Sequence, residues 1–167
     1  DVKIVLYILA ESVAARLREN GFRCRTVEIS IRDKELFHFS KQSKLKNASN
    51  ITGEIAEAAY MLYKKSYSLP ANEYELKSFG TEFYQKPLRS IGISGSDLVT
   101  DFYWEQMDIF MDPKLREKRM KMDVTVDNIR KRFGFYSIQR GLMYRDSILS
   151  ACNAKEDHTV HPIGYFG

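Results

Sequence analysis

Residues 25–45, RTVEISIRDKELFHFSKQSKL, decide the fold. Val27, Ile29 and Ile31 alternate with Thr26, Glu28, Ser30 and Arg32, the two-residue period of a strand with one buried and one wet face. Asp33 and Lys34 predict a tight turn, after which Phe37 and Phe39 resume the alternation. The stretch therefore reads as a β-hairpin whose apolar side, with Val27, Ile29, Ile31, Phe37 and Phe39, needs a cover.

The flanking sequence supplies that cover. In VKIVLYILAESVAARLREN (residues 2–20), Val2, Val5, Leu6, Leu9, Val13 and Leu17 recur at spacings that place one stripe on a helix, which Gly21 ends as a left-handed cap. Ile4 and Ile8 lie off that stripe, and the expectation is that something outside the chain covers them. A second helix is predicted from about Thr52 to Tyr67, capped by Asn50 or Thr52, with Glu54 and Glu57 in its first turn and Ile55, Ala58, Ala59 and Leu62 turned inward. A long loop punctuated by Pro and Gly then leads to RSIGIS (residues 89–94), where Ile91 and Ile93 point inward and Ser90, Gly92 and Ser94 outward. The order helix, strand, strand, helix, strand predicts an α+β fold, an antiparallel sheet covered on one face by two helices.

Further along, Asp112 and Pro113 open a charged helix, and Thr125 is expected to cap a separate short helix, TVDNIRKRFG, closed by Gly134. The remainder has little periodicity. Three regions result: a domain over 1–99, a linker over 100–111 and a mostly helical or irregular C-terminal extension over 112–167 that lacks a core of its own.

Bulk properties exclude several classes. There is no run of eighteen apolar residues and no signal-peptide pattern, so no membrane partner is expected. Cys24 and Cys152 match no metal or redox spacing and read as reduced thiols of a cytoplasmic protein. Glu156, Asp157, His158 and His161 invite a metal reading, but HTVHPIG reads as extended chain, where two His three apart point to opposite faces. No metal site is predicted, and no nucleophile elbow or phosphate-binding glycine loop is present.

The net charge of +4 permits nucleic-acid binding without requiring it. If helices cover one side of the sheet, the other exposes Thr26, Ser30, Arg32, Ser40, Gln42, Lys44, Ser90, Gly92 and Ser94. Small hydroxyls and glycine let a phosphate backbone approach, with cations supplying charge; the scarcity of aromatics argues against base stacking. The bland reading is an ordinary polar solvent face. The run Lys114, Arg116, Lys118, Arg119 and Lys121 likewise reads first as a helix facing water.

The hairpin, the helix ITGEIAEAAYMLYKK (residues 51–65) and the strand RSIGISGSDLV (residues 89–99) together resemble the C-terminal little-finger domain of Y-family lesion-bypass DNA polymerases. The likeness is closest to the SOS-induced, UV-damage-repair type of Gram-positive bacteria and their mobile elements, whose tails are similar to DNIRKRFGFYSIQRGLMYRD and KEDHTVHPIGYF. The resemblance implies contacts to the backbones of primer-template DNA from Ser30, Arg32, Ser40, Lys41, Gln42, Lys44, Arg89, Ser90 and Ser94. Relatives carry more arginine on the last strand than Ser90 and Ser94 allow here. The family's little finger also opens with a strand before the first helix, so the sheet is expected to lack that strand and to be repaired by pairing with another molecule.

No cluster of carboxylates suited to two Mg²⁺ ions is present, since Asp97 and Asp101 lie at a strand end without acidic neighbours. Catalysis and its Mg²⁺ are therefore expected in the palm of a parent polymerase core, with no cofactor in this portion. The alternative is a stand-alone DNA- or clamp-binding regulatory module.

Within WEQMDIF (residues 104–110), Gln106, Met107, Asp108, Ile109 and Phe110 look like the Gln-Leu-Ser/Asp-Leu-Phe pentapeptide with which bacterial proteins bind the ring-shaped β sliding clamp. Gln106 would enter a polar subsite while Ile109 and Phe110 fill an apolar pocket. The competing reading folds Trp104, Ile109 and Phe110 back as a minor core.

Overall fold

Helix α1 spans Val2–Glu19, strand β1 Phe22–Asp33, β2 His38–Ser49, helix α2 Thr52–Tyr67, β3 Leu88–Thr100 and helix α3 Pro113–Phe133. Two short 3-10 turns and a four-residue helix, α4 (Ser147–Ser150), follow. The structure is a computed structural model and describes residues 2–67, 88–102 and 112–154. The three described strands form one antiparallel sheet in the order β2-β1-β3.

The predicted α+β arrangement holds. Val27, Ile29 and Ile31 of the central strand are fully buried against Leu6, Ala10, Ala14 and Leu17 of α1 and Ile55, Ala56, Ala59 and Leu62 of α2, with Phe39, Ile91 and Ile93 packed at the margin. On α1 the small residues Ala10 and Ala14 take inner places, so that helix and sheet approach closely, while Val5 and Leu9 are only half-buried.

The hairpin turn is wider than expected. Asp33 N donates to Phe37 O at 3.0 Å, and Asp33 Oδ1 accepts from Glu35 N and Phe37 N, so one side chain organises the turn. Leu36 takes a left-handed φ of 69° there. Phe37 consequently falls in the turn and is 54% exposed, not part of the helix-covered face.

Two further expectations are corrected by helix α3. It runs unbroken from Pro113 to Phe133, and Thr125 is not a cap: its hydroxyl donates to Lys121 O at 2.8 Å within the helix. The expected Asp112 cap is present, accepting from Lys114 N and Leu115 N, and Gly134 at φ 93° ends the helix.

Helix α3 docks through a charged stripe. Arg116 binds Glu54 by two bonds and also donates to Ala48 O; Arg18 of α1 binds Asp127 at 2.6 Å and Asp123 at 3.5 Å; Arg130 meets Glu11 at 2.9 Å. Arg140 then closes the network, at 2.6 Å from Glu11 and 2.9 Å from Asp123. Burial alone would lower the Arg140 pKa, but Glu11 and Asp123 outweigh it and hold the guanidinium charged.

The start of α2 is capped by this network. Ser49 Oγ accepts from Ile51 N, Ile51 O accepts from Ile55 N, and Thr52 N donates to Asp123 Oδ2. Neither Asn50 nor Thr52 provides the cap by its side chain; Asn50 instead donates to Phe22 O and Asp101.

Ile4 and Ile8 need no cover from outside the chain. Met143 is buried against both, with Leu142, Leu149 and Ala154 around them. Ser12 Oγ fixes the far end by donating to Ala154 O.

Candidate functional site

Strand register sorts the predicted site residues by face. Four rows cross the sheet on the side away from the helices: His38–Arg32–Ser90, Ser40–Ser30–Gly92, Gln42–Glu28–Ser94 and Lys44–Thr26–Ser96. Seven of the nine predicted contacts, Ser30, Arg32, Ser40, Gln42, Lys44, Ser90 and Ser94, thus share one face. All but Ser30 are exposed.

The remaining two sit elsewhere. Lys41 pairs with Ile29 and so has the parity of the helix-covered face, although it is exposed on the edge strand. Arg89 is the extra residue where the pairing shifts between Arg32↔Ser90 and Asp33↔Leu88, a bulge at the rim.

The middle of the face is low. A Cβ at Gly92 would lie 2.5 Å from Ser30 Oγ, so glycine is what lets the central hydroxyl stay in place. The cations stand at the two ends, Arg32 at one and Lys44 at the other. Six residues of strand separate those rows, roughly 20 Å.

Two charged features qualify the face. Glu28 belongs to it by the same alternation and sits at its centre, half-buried between Gln42 and Ser94, a negative charge where phosphate would approach. At the Lys44 end, Arg25 holds Asp97 through two hydrogen bonds, 3.0 and 2.8 Å. That contact, helped by Lys44, keeps the Asp97 carboxyl below the usual carboxylate range, while Asp97 itself has a left-handed φ of 55°. Alternation shows Glu28 directly; the Arg25–Asp97 pair required the β1–β3 register.

Other expectations fall outside the described residues. They include Gln106, Met107, Asp108, Ile109 and Phe110, and the Glu156, Asp157, His158 and His161 cluster. The flanks of the first segment are described and anchored. Asp101 N donates to Gly21 O, and its carboxylate accepts from Arg23 and Asn50; beyond it Asp112 caps α3 and Arg116 grips Glu54. Among the described residues no metal-holding group of three or more His, Cys, Asp or Glu is found, and no helix is long and apolar enough to cross a membrane.

Comparison with known proteins bears on this face. The family model for the impB/mucB/samB family C-terminal domain matches residues 1–109. The chain is 37% identical over 146 residues to the DNA polymerase IV of Acetivibrio thermocellus, covering 87% of this chain and 33% of that protein. It is 30% identical over 159 residues to DNA polymerase IV 2 of Halalkalibacterium halodurans (93% and 33%) and 31% identical over 143 residues to DNA polymerase IV 2 of Bacillus subtilis (84% and 30%). The chain spans about a third of the length of these relatives.

Proposed function

The chain belongs to the impB/mucB/samB C-terminal-domain family, the C-terminal region of Y-family DNA polymerases, and from that premise we propose that it grips duplex DNA for a lesion-bypass polymerase. The observation that carries the reading is the open sheet face, whose exposed hydroxyls surround a glycine-flattened centre between Arg32 and Lys44. Serine hydroxyls and two separated cations suit contacts to phosphate oxygens, which fix position without reading sequence. The primer-template is then held while catalysis, with its Mg²⁺, occurs in the palm of the parent core, at the nucleoid in the cytoplasm and in response to DNA damage.

The reading extends to a second tether. Residues 106–110 would carry the polymerase to the β sliding clamp, with Gln106 in the polar subsite and Ile109 and Phe110 as apolar anchors. The sequence pentapeptide supports this. Clamp binding that is unchanged by Gln106→Ala with Phe110→Ala would remove it.

The sheet also offers a place for one more strand. Among the described residues the outer edge of β3 pairs with nothing, and beside it runs an apolar groove lined by Val13, Leu17, Phe22, Ile93 and Leu98. Pairing there with an upstream segment or a second copy would complete the sheet.

NMR tests the DNA surface residue by residue. Adding a short duplex should shift the backbone amides of Ser30, Arg32, Ser40 and Ser94. Shifts that spare these four amides would sink the proposal.

A further inference from the structure

Helix α3 sorts its charges by side. Arg116, Asp123, Asp127 and Arg130 turn inward, each into an ion pair with α1, α2 or the following segment. Left exposed on the outside are Lys114, Lys118, Arg119, Lys121, Lys131 and Arg132, with Glu117 as the one exposed acid of the helix. Of these cations only Lys121 forms an ion pair among the described residues, a solvent-exposed contact with Glu117. Arg132 lies over the Phe133 ring.

The consequence is a concentrated field. The chain's formal net charge is +4, and this surface alone carries a surplus of five, so the rest of the sequence is slightly negative. A helix that serves only solubility mixes both signs; this one has spent its other acids on docking. Its single-sign exterior is therefore a product of how it packs.

The cations also lie in line. At 100° per residue, Lys114, Lys118, Lys121 and Arg132 fall within about 60° around the axis and extend roughly 27 Å along it, the rise of about eight base pairs. None of the inward partners of α3 lies on the open face of the sheet: they are on α1, on α2, at the end of β2 and in the segment after α3. Lysines dominate, which suits point-charge contact to phosphate without base recognition.

We propose that the outer face of α3 is a second nucleic-acid site, which binds the phosphodiester backbone independently of sequence and apart from the sheet. It goes beyond the sheet-face reading and does not depend on it. Two contact surfaces on one chain would hold a strand and its continuation on different sides of the domain.

The test is fluorescence anisotropy of the full chain with a labelled 20-residue single strand and the matching duplex, over a salt series. Replacing Lys114, Lys118, Lys121 and Arg132 together by Gln should weaken binding of at least one probe about tenfold at low salt, and flatten its log–log salt slope by about three, at roughly 0.7–0.9 for each phosphate contact removed. A control removing the exposed Lys3, Lys64, Lys65 and Arg145 in the same way should lose less than about threefold, since net charge changes equally. Arg32→Ala with Lys44→Ala, measured alongside, reports the sheet separately. If the α3 variant binds both probes as the control does, the proposal is overturned; retained DNA affinity with lost binding to polyglutamate-coated beads would assign the face to an acidic protein instead.

Discussion

Asp123 Oδ2 accepts the backbone N–H of Thr52 at 2.7 Å, so a side chain of α3 caps a helix that begins 71 residues earlier. Asp123 is nearly fully buried and also meets Arg18 and Arg140. Asp123→Ala would strip the cap and leave part of two buried guanidiniums unmatched, an expected loss of about 3 kcal/mol. Asp123→Asn keeps an acceptor and should lose less. Urea denaturation checks this, and an Ala variant as stable as the parent would show that the cap is replaced by water.

The segment after α3 should be energetically coupled to α1. Met143→Ala opens a void against Ile4 and Ile8 and is expected to cost about 2–3 kcal/mol, as is Ile8→Ala. Because the side chains touch, the double variant should lose less than the sum of the two. Strict additivity in a double-mutant cycle would mean that the two surfaces do not pack in solution.

The two thiols should differ in reactivity. Burial pushes the Cys24 thiol up to about 11 from an ordinary 9.0, whereas Cys152 is exposed. A thiol reagent at pH 8 should therefore label one cysteine in the native protein and both in urea. The raised pKa also fixes a pH dependence. Above pH 9 the unfolded thiol loses its proton while the folded one keeps it, so this contribution to stability falls as pH rises from about 9 to about 11. Cys24→Ala should flatten that limb of the stability curve.

Glu28 offers a test in the opposite direction from a loss of function. It places a negative charge at the centre of the proposed DNA face. Glu28→Gln should tighten duplex binding by about threefold at low salt, and the gain should shrink as salt rises. Weaker binding would mean that duplex DNA does not approach the centre of the sheet.

Much of the domain was legible because its core obeys simple periods. The alternation of Val27, Ile29 and Ile31 fixed the covered face, and the 52–67 helix has the expected bounds although neither expected residue caps it. Phe37 failed because Asp33 organises a wider turn through its own carboxylate, which alternation alone does not reveal. Helix α3 was harder. Its docking stripe, Arg116, Asp123, Asp127 and Arg130, has helical spacing but no apolar residue, so a search for apolar stripes reads it as facing water. Ile4 and Ile8 were visible as surplus apolar residues, but their partner Met143 lies more than 130 residues away with no periodic signal to mark it. On the candidate face, strand parity separated Lys41 from its neighbours, and a bulge displaced Arg89 to the rim.

The salt dependence of duplex binding tests the DNA-gripping role most directly. For the parent chain, affinity for a short duplex should fall steeply from low to moderate salt. Arg32→Ala with Lys44→Ala should weaken it and flatten the log–log slope by about two, near 0.9 for each phosphate contact removed. An affinity indifferent to salt, or a slope unchanged by the two substitutions, would contradict the assignment of the sheet face to DNA.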